Sequence, residues 1–198
     1  MRNRLASNSR SRSLLKQLNG HRSLDVYEAA KEIWQRDDPL TLPFVIKTLK
    51  NGKRVMNRTA AAFALELMRG KNAIPALECS IDDKNEHPKV RGQAAESLAH
   101  SHREKSHLIL IRNLDDPSKE VRFWCAYALG EMRDHDALVP LRKLAKEDRR
   151  IVRGFWSVSR EAKAAIRNIQ KEIRNGKGRS RRGCIFCPKS WKKGAQGR

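Results

Sequence analysis

Apolar residues return along the middle of the chain at steps of four, four and three. Val121, Cys125, Leu129 and Met132 make one such series, Met56, Ala60, Ala64 and Leu67 a second, and Val90, Ala94 and Leu98 a third. A step of this size brings each residue back to the same side of an α-helix, so each series predicts one helix with one apolar stripe. Paired alanines beside the stripes, Ala61-Ala62 and Ala94-Ala95, let neighbouring helices approach closely. Shorter apolar runs lie between the series, Ala73-Ile74-Pro75-Ala76-Leu77 and Ala137-Leu138-Val139-Pro140-Leu141. They predict short second helices, because proline is tolerated in a first turn where its missing N–H would have no partner. Asp37-Asp38-Pro39, Asp82-Asp83 and Asp115-Asp116-Pro117-Ser118 mark turns, and their carboxylates are candidates to cap the next helix. No segment alternates with period two for long enough to predict a strand.

The helices repeat. Val90–Ala99 aligns without gaps on Val121–Gly130, 31 residues later, and Val152-Arg153 opens a third copy after 31 more. Asn57-Arg58, followed by Ala61-Ala62 and Leu65, lies 33 residues before Arg91 in register, and a weaker copy with Ala29-Ala30 and Ile33 precedes it by 32. A period of this length belongs to a stacked array, with about five two-helix units between residues 24 and 174. The unit at Val152 loses the pattern: Trp156-Ser157 replaces the alanine pair and Arg160 the leucine. A new stripe at Ala162, Ala165-Ile166, Ile169 and Ile173 predicts a long closing helix over the last open face.

A unit of the form V-R-x-x-A-A-x-A-L-G, followed by a short helix with a proline, resembles the phycobilisome-lyase type of HEAT-like repeat. The resemblance covers roughly residues 54–153 well and 24–53 weakly. It implies an all-α, right-handed α-solenoid of about five helical hairpins and says little about chemistry, because a fold does not imply a function. It also implies that Arg58, Arg91, Arg122 and Arg153, one per unit, form a ladder paired to acids of the preceding turn at the positions of Asp83, Asp116 and Asp148. Contact of the same arginines with phosphates or an acidic protein surface is the alternative.

Charge changes the picture at the two ends. The formal net charge is +21. Residues 1–24 hold six bases and no acid, and residues 171–198 hold ten bases against Glu172 alone. Such segments are too polar to bury a core, so residues 1–23 read as a disordered basic arm, 24–174 as the solenoid and 175–198 as a basic tail. In the tail, Arg179, Arg181, Arg182, Lys189, Lys192 and Lys193 surround Trp191, a composition suited to a polyanion. Cys184 and Cys187 have the spacing of half a zinc site, but no second pair follows, so no metal is expected. Four scattered cysteines fit a reducing cytoplasm rather than a disulfide framework. No apolar run approaches the roughly 20 residues of a membrane span.

No phosphate-binding glycine loop, zinc-protease or serine-hydrolase motif is present. Phe123 stands where the matching positions hold Thr59, Gly92 and Gly154. With Trp124 it forms either a stacking platform for a partner or packing between units. The expectation from sequence is therefore a cytoplasmic, monomeric, cofactor-free and non-catalytic scaffold. Its partner would be an acidic macromolecule, most readily a protein, engaged through Arg58, Arg91, Arg122, Arg153, Phe123 and Trp124. Nucleic-acid binding through the arms is the first alternative. A lyase-type subunit or glycosylase-like enzyme with a pocket near Phe123, Trp124 and Tyr127 is the second.

Overall fold

A computed structural model describes residues 9–68, 72–100 and 106–174. Ten α-helices lie among them: α1 (Ser9–Leu18), α2 (Ser23–Arg36), α3 (Leu42–Asn51), α4 (Val55–Ala64), α5 (Ala73–Asp82), α6 (Pro88–His100), α7 (His107–Arg112), α8 (Lys119–Met132), α9 (Leu138–Glu147) and α10 (Val158–Arg174). The described residues contain no strand, only an isolated bridge between Ile151 and Ser157. None of these helices is long and apolar enough to cross a membrane.

The even-numbered helices pack in sequence as one row, α2 on α4, α4 on α6, α6 on α8 and α8 on α10; the odd-numbered helices make a second row alongside. This is the stacked solenoid that the repeat predicts. The alanine pairs explain the close stacking, since Ala29, Ala30, Ala60, Ala61, Ala62, Ala94, Ala95, Ala126 and Ala128 are all buried. Ser97 Oγ donates to the Ala62 carbonyl at 3.1 Å, a contact that only a small side chain permits. Two glycines allow closer approach still. A Cβ on Gly130 would stand 2.7 Å from the Ala165 Cα on α10, and one on Gly92 would stand 2.6 Å from Trp124 Cδ1.

Three sequence expectations require correction. Residues 9–18, assigned to the disordered arm, form α1. Leu14 and Leu18 bury against the first units, Ser11 Oγ donates to Asp38 at 2.8 Å, and Arg10 pairs with Glu32. The excess of arginine hid a short apolar stripe that closes the array's open end. Next, Val152-Arg153 does not start a helix. Gly154 sits at φ +84° and the Ile151–Ser157 bridge folds the segment into a loop, so helix resumes only at Val158. Finally, the turn acids do not cap the following helices. The carboxylates of Asp38, Asp83, Asp116 and Asp148 accept from the backbone N–H two residues on, at 2.9 to 3.2 Å, and shape the turns themselves.

Candidate functional site

The arginine column runs along the turn edge and is consumed by structure. Arg58 donates to both Glu86 carboxylate oxygens, at 2.7 and 2.8 Å. Arg91, 2% exposed, donates to the Ile81 carbonyl and to Asp116, which Lys84 also reaches at 2.5 Å. Arg122 bonds Asp148 at 2.7 Å and the Asp116 carbonyl. The bonds to carboxylates therefore reach forward to the following turn, where the resemblance implied the preceding one, with Glu86 standing where Asp83 was expected, and the bonds to carbonyls reach back. Burial alone would raise the Asp116 pKa, but hydrogen bonds from Arg91, Lys84 and the Ser118 N–H, with the Arg91 charge, hold it below the ordinary range. Arg153 lies exposed in the loop after Asp148, whose second pairing goes to Arg150 at 2.8 Å.

The aromatic candidates divide. Phe123 is 2% exposed, packed against Trp124, Phe155 and Trp156 with ring centroids 5.3, 5.3 and 6.2 Å away, so it is not an exposed platform. Trp124 is half-buried and meets Tyr127 and Phe155 edge to face, at 5.6 and 5.2 Å. Arg179, Arg181, Arg182, Lys189, Trp191, Lys192, Lys193, Cys184 and Cys187 all fall outside the described residues.

Sequence reasoning passed over a polar face on the even-numbered row. On α6, Gln93, Glu96 and His100 share one side at i, i+3 and i+7. One repeat later the same columns on α8 hold Trp124, Tyr127 and Glu131. Glu66, just beyond α4, and Phe155, Trp156 and Glu161, around the start of α10, extend the face at its two ends. Glu66, Glu96 and Glu161 are 7%, 5% and 5% exposed. The compensation for burying them is thin: Gln93 Nε2 donates to Glu96 at 3.1 Å and Trp156 Nε1 to Glu161 at 2.7 Å. His100 Nδ1 stands 3.4 Å from Glu66 Oε1.

The position of these carboxylates raises their proton affinity. Burial first, and then the neighbouring Glu96, pushes the Glu66 pKa up to about 8. Burial pushes Glu96 up to about 7 against the opposing Gln93 hydrogen bond. Burial also raises Glu131 and Glu161. The Tyr127 hydroxyl is raised by burial and then by the charges of Glu131, Glu96, Glu161 and Glu66, so one phenol senses four carboxylates. Desolvated acids gathered on one face, two of them, Glu66 and Glu96, raised to near neutrality, are a functional-site signature. Their chemistry suits a cation, whose arrival would restore their charge.

The HEAT-repeat family model matches residues 83–155, from the turn before α6 to the loop before α10. That segment is made of HEAT-like repeats. The HEAT-like chain is 44% identical over 75 residues to deoxyhypusine hydroxylase of Arabidopsis thaliana, covering 37% of this chain and 24% of that protein. It is 43% identical over 75 residues to deoxyhypusine hydroxylase-B of Oryza sativa subsp. japonica, covering 37% and 25%. The chain thus spans about a quarter of the length of the curated relatives it matches. The solved structure of human deoxyhypusine hydroxylase in complex with glycerol shares its fold, with a TM-score of 0.57 at 20% identity over 72% of this chain and 48% of the human one.

The relatives' names overturn the non-catalytic scaffold expected from sequence, together with its nucleic-acid alternative, because they are the names of an enzyme. Composition had argued for binding because the charge lies at the ends, whereas the polar face lies inside the array. Hydroxylation calls for an oxidising centre, commonly a metal. Among the described residues no group of three or more His, Cys, Asp or Glu is placed to hold a metal ion. The described face therefore does not fit a metal of its own.

Proposed function

We propose that this chain belongs to an enzyme of the deoxyhypusine hydroxylase kind, and that the face of Glu66, Glu96, Glu131 and Glu161 receives the amine-bearing side chain of its substrate. The observation that carries the reading is the set of buried carboxylates Glu66, Glu96 and Glu161, with half-buried Glu131 beside them, in a HEAT-like array related to those enzymes. Deoxyhypusine is chemically a lysine lengthened by an aminobutyl arm, so it offers two amine cations on one flexible aliphatic chain. Buried carboxylates held partly protonated gain most from such a guest, since its charge offsets the cost of ionising them. The described residues bind and orient; no oxidation step is assigned to them. Within the HEAT-like class, the consensus at Val90–Ala99 and Val121–Gly130 supports the phycobilisome-lyase repeat type, and the cytoplasm is the compartment we assign.

The test is binding of a fluorescent peptide bearing deoxyhypusine, against the same peptide bearing lysine, to the full chain and to a Glu66→Gln/Glu96→Gln double variant. The modified peptide should bind the wild-type chain more tightly, and the variant should lose that preference. Equal affinity for both peptides in the wild-type chain overturns the reading.

A further inference from the structure

One end of the face differs in kind from the other. At Glu66 and Glu96 the carboxylates stand among Gln93, His100 and alanines, whereas toward α10 they border a continuous aromatic surface. Trp124 meets Tyr127 and Phe155, and buried Phe123 links Phe155 to Trp156. Trp156 is 42% exposed, so the cluster opens to solvent there. Glu161 accepts from the Trp156 indole N–H at 2.7 Å, which puts negative charge at the edge of that ring. Glu131 lies near enough to raise both Tyr127 and Glu161. Arg133, the nearest base to Glu131 along the chain, is held by Glu172 at 2.7 Å.

The surface already attracts a cation. The Arg160 guanidinium lies over the Trp156 ring, 5.1 Å from its centroid. Aromatic faces draw cations through the ring quadrupole, most strongly when carboxylates stand close and water is partly excluded. Arg160 is tethered to α10 and exposed, so it can leave the ring at small cost. A free aliphatic ammonium is not tethered to α10, so its apolar stem can lie along Phe155 and Trp124 while the charge faces the carboxylates.

We infer that Trp124, Tyr127, Phe155 and Trp156, with Glu131 and Glu161, form a binding site for an alkylammonium group, and that Arg160 competes for it from within the chain. This deepens the amine reading above and rests on it for the face, but it requires no peptide and no reaction. Arg160 thereby sets the threshold at which an amine engages the aromatic end.

The experiment is a titration of the full chain with n-butylammonium, and with n-butanol as its uncharged counterpart, followed by calorimetry and tryptophan fluorescence. The wild-type chain should prefer the ammonium. Arg160→Gln should tighten it about two- to fivefold, the range an exposed cation–π contact spans. Glu131→Gln, a half-buried position whose change spares the packing, should weaken it by a similar factor. Trp156→Leu should abolish the preference, with circular dichroism as the check on folding; if that variant unfolds, the Arg160 and Glu131 pair decides. Equal binding of butanol, or unchanged affinity in both Arg160→Gln and Glu131→Gln, overturns the inference. Modified-peptide binding without any response to butylammonium sinks this site and leaves the substrate reading standing. The converse sinks the substrate reading and leaves the site.

Discussion

Gly130→Ala should destabilise the protein, against the usual effect of that change in a helix. Alanine is favoured over glycine in a helix interior by about 1 kcal/mol. Here the new Cβ would stand 2.7 Å from the Ala165 Cα and 2.8 Å from its Cβ, distances that real Cβ atoms do not adopt. The obstacle is α10 backbone, which a rotamer change cannot clear. That helix is pinned on two sides, packing on both α8 and α9 with Ala162, Ala165 and Ile169 buried. Overpacking of this kind costs about 1–3 kcal/mol, and because the obstacle is backbone we place it at the upper end. Subtracting the propensity gain leaves a net loss of about 1–2 kcal/mol. With a urea slope of about 2 kcal/mol/M, the unfolding midpoint should fall by about 0.5–1 M at unchanged slope. Ala165→Gly should not rescue it, since the clash with the α10 main chain persists. A midpoint that holds or rises in Gly130→Ala would show that α10 yields easily, and the close-packed account of this interface would be wrong.

Four further predictions rest on the same structure. Gly92→Ala should also destabilise, but Trp124→Leu should recover part of the loss, because there the obstacle is the indole ring. Asp116→Ala strands buried Arg91 and should cost about 3–5 kcal/mol in chemical denaturation; Arg91→Met should cost less, since Lys84 still bonds Asp116. Glu66 and Glu96 have folded pKa values raised to about 8 and about 7, so the stability they contribute is full below their unfolded value near 4.5 and is lost as pH rises through those values. Asp116 and Asp148 are depressed instead, so theirs is present above about 3.8 and lost in acid. Thermal melts should therefore peak at mildly acidic pH, and Glu66→Gln/Glu96→Gln should match the wild type near pH 4 but melt higher at pH 9; a parallel wild-type profile would refute it.

The helical rows were legible because stacking forces one apolar stripe and one pair of small residues per unit, Ala94-Ala95 in Val90–Ala99 and Cys125-Ala126 in Val121–Gly130. The arginine column was legible for the same reason, although not the direction of its bonds, since sequence spacing does not say which turn an arginine on a given helix faces. The loop at Val152 misled because Val-Arg repeats there while Gly154 breaks the helix. Glu96 and Tyr127 occupy one repeat column and Glu131 lies four residues past Tyr127, but a glutamate on a helix ordinarily faces solvent. Only the neighbouring helices reveal that Glu96 is buried and that Tyr127 and Glu131 are half-buried, and a net charge of +21 drew attention to the ends of the chain instead.

Amine binding requires that these carboxylates form an ion-hungry, desolvated face. The most direct measurement is a carbon-13 NMR pH titration of the glutamate carboxyls in the full chain, with and without the deoxyhypusine-bearing peptide. Glu66 and Glu96 should titrate near 8 and 7 in the free chain and shift downward when the peptide's amines arrive. Titration of both near the ordinary value of 4.5, unmoved by the peptide, would contradict it.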